Sequence, residues 1–75
     1  MEITIYSKNN CVQCTMTKRF LNEHGADFNE INLSDHPELI DELKQAGFAA
    51  TPIIKTDTGV SFTGFRPDNL RQLLG

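Results

Sequence analysis

The chain has 75 residues and a formal net charge of −3. Because a chain of this length is too short for two hydrophobic cores, we expect one domain over residues 1–75. Its acidic balance, without any cluster of lysine and arginine, argues against nucleic acid as a partner. It has neither an apolar stretch near the roughly 18 residues that span a membrane nor a signal-peptide pattern, so we expect a cytoplasmic protein with no membrane partner. We also expect a monomer.

The first predicted elements are a strand and a helix joined by a polar loop. Ile3 to Tyr6 alternate with period two, as a strand does, and a helix follows from about Cys11 to His24 and ends at Gly25. At 100° per residue, one helix face carries Cys14, Thr17, Phe20 and Leu21, whereas Val12 and Met16 point away from it. Cys14 should therefore face the core, with Cys11 at the exposed tip and Val12 exposed beside it.

The middle of the chain predicts a second strand and a second helix. Ala26 to Leu33 have the composition of the strand. Asp35-x-x-Glu38 resembles a capping box, with Pro37 in the first turn of the helix. The apolar stripe of this helix consists of Leu39, Ile40, Leu43 and Ala46, and Gly47 follows it.

The last third predicts a hairpin and a short helix. Ile53 and Ile54 begin a third strand, Asp57-Thr58-Gly59 forms the turn, and Val60 and Phe62 continue as a fourth strand. Pro67 and Asp68 open a helix whose inward residues are Leu70, Leu73 and Leu74. The order β-α-β-α-β-β-α predicts an α/β fold with the first two strands parallel and the hairpin antiparallel.

The two cysteines of the chain, Cys11 and Cys14, follow the first strand and open the first helix. Zinc would need further ligands, and His24 and His36 are the remaining candidates. Neither the interval from Cys14 to His24 nor that between the histidines matches zinc-finger spacing, so we expect no metal. A C-x-x-C pair after the first strand of a βαβ unit indicates a thioredoxin-like redox motif, and paired cytosolic cysteines are more often catalytic or metal-binding than structural.

The position of each cysteine predicts its role in thiol–disulfide exchange. Cys11 would attack a substrate disulfide, and the buried Cys14 would then attack Cys11 and release the reduced substrate. The helix N-terminus and nearby Lys8 should lower the pKa of the Cys11 thiol. Residues 3–22 contain no acid, whereas residues 23–42 contain seven acids and no lysine or arginine, so the cysteines lie in the electropositive part of the chain.

Two further segments are candidates for the site. Thr51-Pro52 precedes the third strand, and because only about 5–6% of X–Pro bonds in folded proteins are cis, frequency alone favours a trans bond. Phe62 to Pro67 form a strand end, a turn and a helix start. Within that segment Phe65 and Arg66 are a large aromatic residue and a long cation, types that often dock partners, so structural and binding roles both stay open.

These segments together resemble the NrdH-redoxin family over essentially the whole chain. The residues that carry the resemblance are Ser7 to Cys14 with its C-V-Q-C site, Thr51-Pro52, and the tail motif Gly64-Phe65-Arg66-Pro67. The resemblance implies a thioredoxin fold with a four-stranded mixed sheet and three helices. It also implies reduction by thioredoxin reductase at the expense of NADPH, electron delivery to the large subunit of class Ib ribonucleotide reductase, and no bound cofactor.

Carried over by position, the resemblance makes Cys11 the attacking thiol, Cys14 the resolving thiol and Pro52 a cis proline. The backbone of Thr51 would then pair with an extended substrate peptide. We expect substrate and partner contacts from Lys8, Val12, Gln13, Thr51, Pro52, Phe62, Gly64, Phe65, Arg66 and Pro67. One departure is Phe62-Thr63, where the family commonly has Trp-Ser, so the indole N–H is missing.

Two other functions compete with this interpretation. A glutathione-dependent glutaredoxin commonly has C-P-Y-C and a Gly-Gly turn whose backbone N–H groups hold glutathione. In this chain Gly64 matches the first glycine, but the second position is Phe65, although Asp68 could still serve as a polar contact. A non-catalytic thioredoxin-fold binding module would instead use Val12, Phe65 and Arg66 as a docking surface.

Overall fold

The computed structural model describes residues 1–75, with four strands and three helices in the predicted order. The elements are β1 (Ile3–Ser7), α1 (Val12–Glu23), β2 (Asn29–Asn32), α2 (Glu38–Gln45), β3 (Ile53–Thr56), β4 (Ser61–Thr63) and α3 (Pro67–Leu74). The strands form one mixed sheet in the order β2-β1-β3-β4. The parallel pairing of β1 with β2 and the antiparallel β3–β4 hairpin confirm the predicted topology.

The sheet separates two apolar clusters because neighbouring strand residues point to opposite faces. One cluster joins β1 and β3 to helices α1 and α3, and its buried members are Ile3, Ile5, Leu21, Ile54 and Leu70. The other cluster lies under α2, and its buried members are Leu33, Leu43 and Ile53. Ile53 and Ile54 thus serve different faces, so both sides of the central sheet are covered by helix.

The start of α2 differs from the sequence prediction. Pro37 is the N-cap residue and no side chain caps the helix, so the capping box from Asp35 to Glu38 is wrong. Asp35 instead lies in a turn, where its N–H donates to the carbonyl of Asn32 at 3.0 Å. Because this turn uses the backbone before Pro37, the helix begins later than the motif implies. Ala46 is exposed at the other end and ends the helix rather than extending its apolar stripe.

The hairpin and the last helix follow the prediction closely. Gly59 has a φ of +91° and donates its N–H to the carbonyl of Thr56 at 3.2 Å, which closes the turn. Val60 is 41% exposed and lies just before β4, which begins at Ser61 and is therefore shorter than predicted. Pro67 opens α3, where it provides a fixed φ, and Leu70 is fully buried. None of the helices is both long and apolar enough to cross a membrane.

The topology brings three distant segments to one edge of the sheet. β1 and β3 are antiparallel, with Tyr6 opposite Ile53, so the chain leaves β1 where it enters β3. The end of β4 lies at the same edge because Thr63 is opposite Ile53. The loop before α1, the segment before β3 and the segment after β4 must therefore meet there.

Candidate active site

Cys11 and Cys14 form a disulfide at the start of α1, with their Cα atoms 5.2 Å apart. Cys11 is the N-cap residue, and its sulfur accepts the N–H of Cys14 at 3.2 Å. The preceding residue, Asn10, has a φ of +58°, a left-handed conformation that asparagine tolerates better than most residues. This turn ends the loop after β1 and allows Cys11 to enter α1 in an extended conformation.

The two sulfurs differ in their access to solvent. Cys14 is 2% exposed, which confirms that it faces the core, and Val12 beside the pair is 74% exposed. Cys11 is only partly exposed, so it is less accessible than the exposed tip that the sequence predicts. The N–H of Cys14 points at the Cys11 sulfur, which is where negative charge would develop with Cys11 as the attacking thiol.

Thr51 and Pro52 lie directly beside the cysteine pair. The hydroxyl of Thr51 donates toward Cys11 Sγ at 3.7 Å, because a disulfide sulfur carries no proton. The Thr51–Pro52 peptide bond is cis, so the expectation from frequency is wrong and the one from the resemblance is confirmed. The intrinsic preference of an X–Pro bond is small, which is why its isomer is decided by the surrounding fold.

The tail motif is hydrogen-bonded to both other segments of the site. The N–H of Gly64 donates to the carbonyl of Pro52 at 2.9 Å. The N–H of Phe65 donates to Gln13 Oε1 at 3.0 Å, so a side chain between the two cysteines holds this turn. Gly64 has a φ of +84°, and a Cβ there would lie 3.4 Å from Gln13 Oε1, so glycine suits both the conformation and the space.

The larger residues of the tail are partly structural. The Phe65 ring packs edge-on against Phe20 of α1, with ring centroids 6.3 Å apart. Phe62 is half-buried against the α1–α3 cluster, and Pro67 is the first residue of α3. Arg66 stays exposed, and its Nε donates to the carbonyl of Thr63 at 2.9 Å. Among the tail residues, Arg66 therefore presents the most accessible side chain.

Lys8 is exposed in the loop before the cysteines and takes part in no ion pair. It lines a polar groove that also contains Cys11 and Cys14. The structure thus places a free cation in the vicinity of the site. Its effect on the Cys11 thiolate stays a prediction.

Glu30 is a residue of this groove that sequence reasoning missed. Its Oε2 accepts a hydrogen bond from the buried Ser7 hydroxyl at 2.7 Å and another from Lys18 Nζ at 2.9 Å. The Ser7 hydroxyl, followed by Lys18, holds the pKa of Glu30 below its usual 4.5. Strand alternation was the available signal, since every second residue of β2 must face α1. Lys18 is therefore neutralised, and the region around the cysteines is less electropositive than predicted.

We expect Glu30→Gln to lower the free energy of unfolding by about 0.5–1 kcal/mol at neutral pH, since the pair is partly solvated. A carboxylate whose pKa is depressed by folding stabilises the native state above its unfolded pKa, and this contribution is lost as pH falls through the folded pKa. The difference from the parent protein should therefore shrink below pH 4.5. Urea unfolding of both proteins at several pH values measures this difference in the free energy of unfolding. Glu23→Gln, at an exposed acid without an ion pair, is the control, and an equal loss in that variant would contradict the assignment.

Each histidine contacts a residue close to it in the sequence. His24 stacks on Phe20 with ring centroids 4.1 Å apart, and its Nδ1 donates to the carbonyl of Phe20 at 2.8 Å. His36 lies 3.3 Å from Glu38 Oε1. No three His, Cys, Asp or Glu side chains are grouped so that they could hold a metal ion.

Comparisons with known proteins agree on one family. The glutaredoxin family model matches residues 3–59. Glutaredoxin-like protein NrdH of Lactococcus lactis subsp. cremoris is 48% identical over 71 residues, which is 95% of this chain and 97% of that protein. NrdH of Escherichia coli K12 is 42% identical over 73 residues, 97% of this chain and 89% of that protein. The solved structure of E. coli NrdH-redoxin superposes on this chain with a TM-score of 0.90 and is 42% identical to it. The match covers 97% of this chain and 95% of that one. That protein is described as glutaredoxin-like with a thioredoxin-like activity profile.

Proposed function

The chain belongs to the NrdH family of glutaredoxin-like redox proteins, which have the thioredoxin fold, and from this premise we propose both partners of its electron transfer. It takes electrons from NADPH through thioredoxin reductase and delivers them to a disulfide on the large subunit of class Ib ribonucleotide reductase. NADPH and the flavin belong to the reductase, and the chain itself works as a cytoplasmic monomer without a bound cofactor.

The proposed exchange proceeds in two displacements. The Cys11 thiolate attacks one sulfur of the substrate disulfide, and the other substrate sulfur leaves as a thiolate and takes up a proton. The Cys14 thiol then loses its proton and attacks Cys11, and the second substrate thiolate departs. The protein dithiol becomes the Cys11–Cys14 disulfide found in the structure, and the substrate disulfide becomes two thiols. Thioredoxin reductase restores the dithiol.

The main support for a protein as the electron donor, rather than glutathione, is the hydrogen bond from the Phe65 N–H to Gln13 Oε1. In a glutaredoxin the backbone N–H groups of this turn would bind a carboxylate of glutathione. Here the N–H of Phe65 already has an internal partner, and the neighbouring Gly64 N–H donates to Pro52. A glutathione carboxylate would have to displace these contacts in order to bind, and exchanging one hydrogen bond for another yields little net free energy of binding. This favours a protein reductant.

A coupled assay of NADPH consumption tests the proposal. The protein is supplied either with NADPH and thioredoxin reductase or with glutathione, glutathione reductase and NADPH, and the substrate is the oxidised large subunit. We expect turnover with thioredoxin reductase to exceed turnover with glutathione by at least about tenfold. Faster turnover with glutathione would assign the chain to the glutathione-dependent glutaredoxins. A Cys11→Ser, Cys14→Ser double variant is the control, and full function in that variant would identify a non-catalytic binding module.

A further inference from the structure

A second groove adjoins the cysteine pair on the α2 side of the sheet. This α2 groove has a volume of about 340 Å³ and is lined by the apolar residues Leu33, Ile40, Leu43, Phe48, Ala49, Ala50 and Ile53, together with Lys8, Ser34, Lys44 and Thr51. Its floor is the buried cluster of Leu33, Leu43 and Ile53. The groove therefore offers apolar surface that a side chain from another molecule could cover.

The charged residues that line the α2 groove all have the same sign. Its charged lining residues are Lys8 and Lys44, both exposed and neither in an ion pair. The whole chain has a net charge of −3, so this local excess of positive charge opposes the overall balance. Complementary charge guides association and excludes wrong partners, and two free lysines at an apolar groove therefore favour an occupant with a carboxylate.

The backbone between the groove and Cys11 has free hydrogen-bonding groups. Ala49, Ala50 and Thr51 lie outside any helix or strand, and none of them takes part in a backbone–backbone hydrogen bond. Thr51 lines the groove and also lies 3.7 Å from Cys11 Sγ through its hydroxyl. Unpaired backbone at the margin of a sheet is a template for an added strand. This segment thus connects the reacting sulfur to the α2 groove.

We propose that the α2 groove binds the substrate segment next to the disulfide cysteine and selects an apolar residue followed by an acidic one. The apolar side chain covers the floor of the groove, and the carboxylate lies between Lys8 and Lys44. The substrate backbone pairs with Ala49 to Thr51, which presents its cysteine sulfur to Cys11. This inference rests on the proposed exchange at Cys11 and adds a sequence preference for the substrate.

Short peptides whose single cysteine is joined by a disulfide to thionitrobenzoate test the preference. Cys11 displaces coloured thionitrobenzoate from the peptide sulfur, and Cys14 then releases the peptide thiol, so one dithiol consumes one probe. In one probe leucine and glutamate precede the cysteine, and in the other they follow it. Both are needed because the direction of backbone pairing decides which side of the cysteine enters the groove. We expect one of them to react at least about fivefold faster than its glycine–lysine counterpart, from partial burial of leucine and a favourable charge pair.

Variants of the groove separate this preference from general reactivity. Lys44→Gln should slow the preferred peptide about two- to fivefold, whereas Gln45→Glu, an adjacent exposed position with the same change in net charge, should not. Ala49→Gln should partly fill the groove and slow the same peptide, and Ala46→Gln, exposed outside the groove, is its control. Loss of the preference in the control variants as well would overturn the assignment to the α2 groove.

The disulfide of 2-mercaptoethanol separates the groove from the exchange itself, because this probe carries neither an apolar side chain nor a charge to place in the groove. Normal reduction of this probe together with equal rates for all peptides would overturn the α2 groove as a specificity site and leave the proposed exchange intact. Failure to reduce the small probe would overturn the exchange and with it this inference. Normal reduction with discrimination among peptides, reduced about two- to fivefold in Lys44→Gln, supports the proposal.

Discussion

Replacement of Cys14 by serine is expected to stop the protein after the first displacement, with the substrate held on Cys11 by a mixed disulfide. Cys14 is 2% exposed and bonded to Cys11, so it is placed to attack Cys11 from within the protein and is shielded from outside disulfides. A serine hydroxyl is not ionised near neutral pH and cannot perform this step. Turnover should fall by at least about a thousandfold, and intact-mass measurement should find the covalent complex.

Cys11→Ser is the matched control for this experiment. It should be equally inactive but should form no mixed disulfide, because the remaining sulfur of Cys14 is buried. The opposite pattern, with substrate trapped by Cys14 in the Cys11→Ser variant, would reverse the two roles. Equal trapping in both variants would show that burial does not distinguish the sulfurs.

Replacement of Gln13 by alanine is expected to raise the rate of glutathione-driven reduction by about tenfold. The change removes the internal acceptor of the Phe65 N–H and leaves that donor free for a carboxylate of glutathione. One hydrogen bond is worth about 0.5–1.5 kcal/mol, or more when the acceptor is charged, which corresponds to this increase. The ratio of kcat/KM for glutathione to kcat/KM for thioredoxin reductase should therefore rise, and assays with each donor measure this ratio.

Gln13→Glu and Gln72→Ala test whether the free N–H causes the gain. A glutamate at position 13 keeps an acceptor for Phe65 and adds a charge that repels the glutathione carboxylates, so this variant should gain nothing. Gln72 is exposed on α3 and makes no side-chain hydrogen bond, so its replacement should leave both donors unaffected. A gain in Gln13→Glu equal to that in Gln13→Ala would contradict the explanation.

Local patterns identified the elements better than their ends. The alternation in β1 and the spacing of Cys14, Thr17 and Leu21 placed those residues on the buried side, because side-chain direction follows directly from helix and strand geometry. The capping box at Asp35 failed because a turn had already engaged the backbone before Pro37. Helix ends depend on such competing local hydrogen bonds, which the motif alone does not specify.

The sequence by itself determined the chemistry of the protein, since C-x-x-C at the start of a helix requires no distant residue to define a dithiol pair. It also determined the order of elements and which cysteine is buried. Only the tertiary structure decided what surrounds the pair: the Thr51 hydroxyl at Cys11, the Gln13 bond to Phe65, and Glu30 between Ser7 and Lys18. Each of these contacts joins residues at least twelve positions apart, so it arises from strand pairing and helix packing rather than from local spacing.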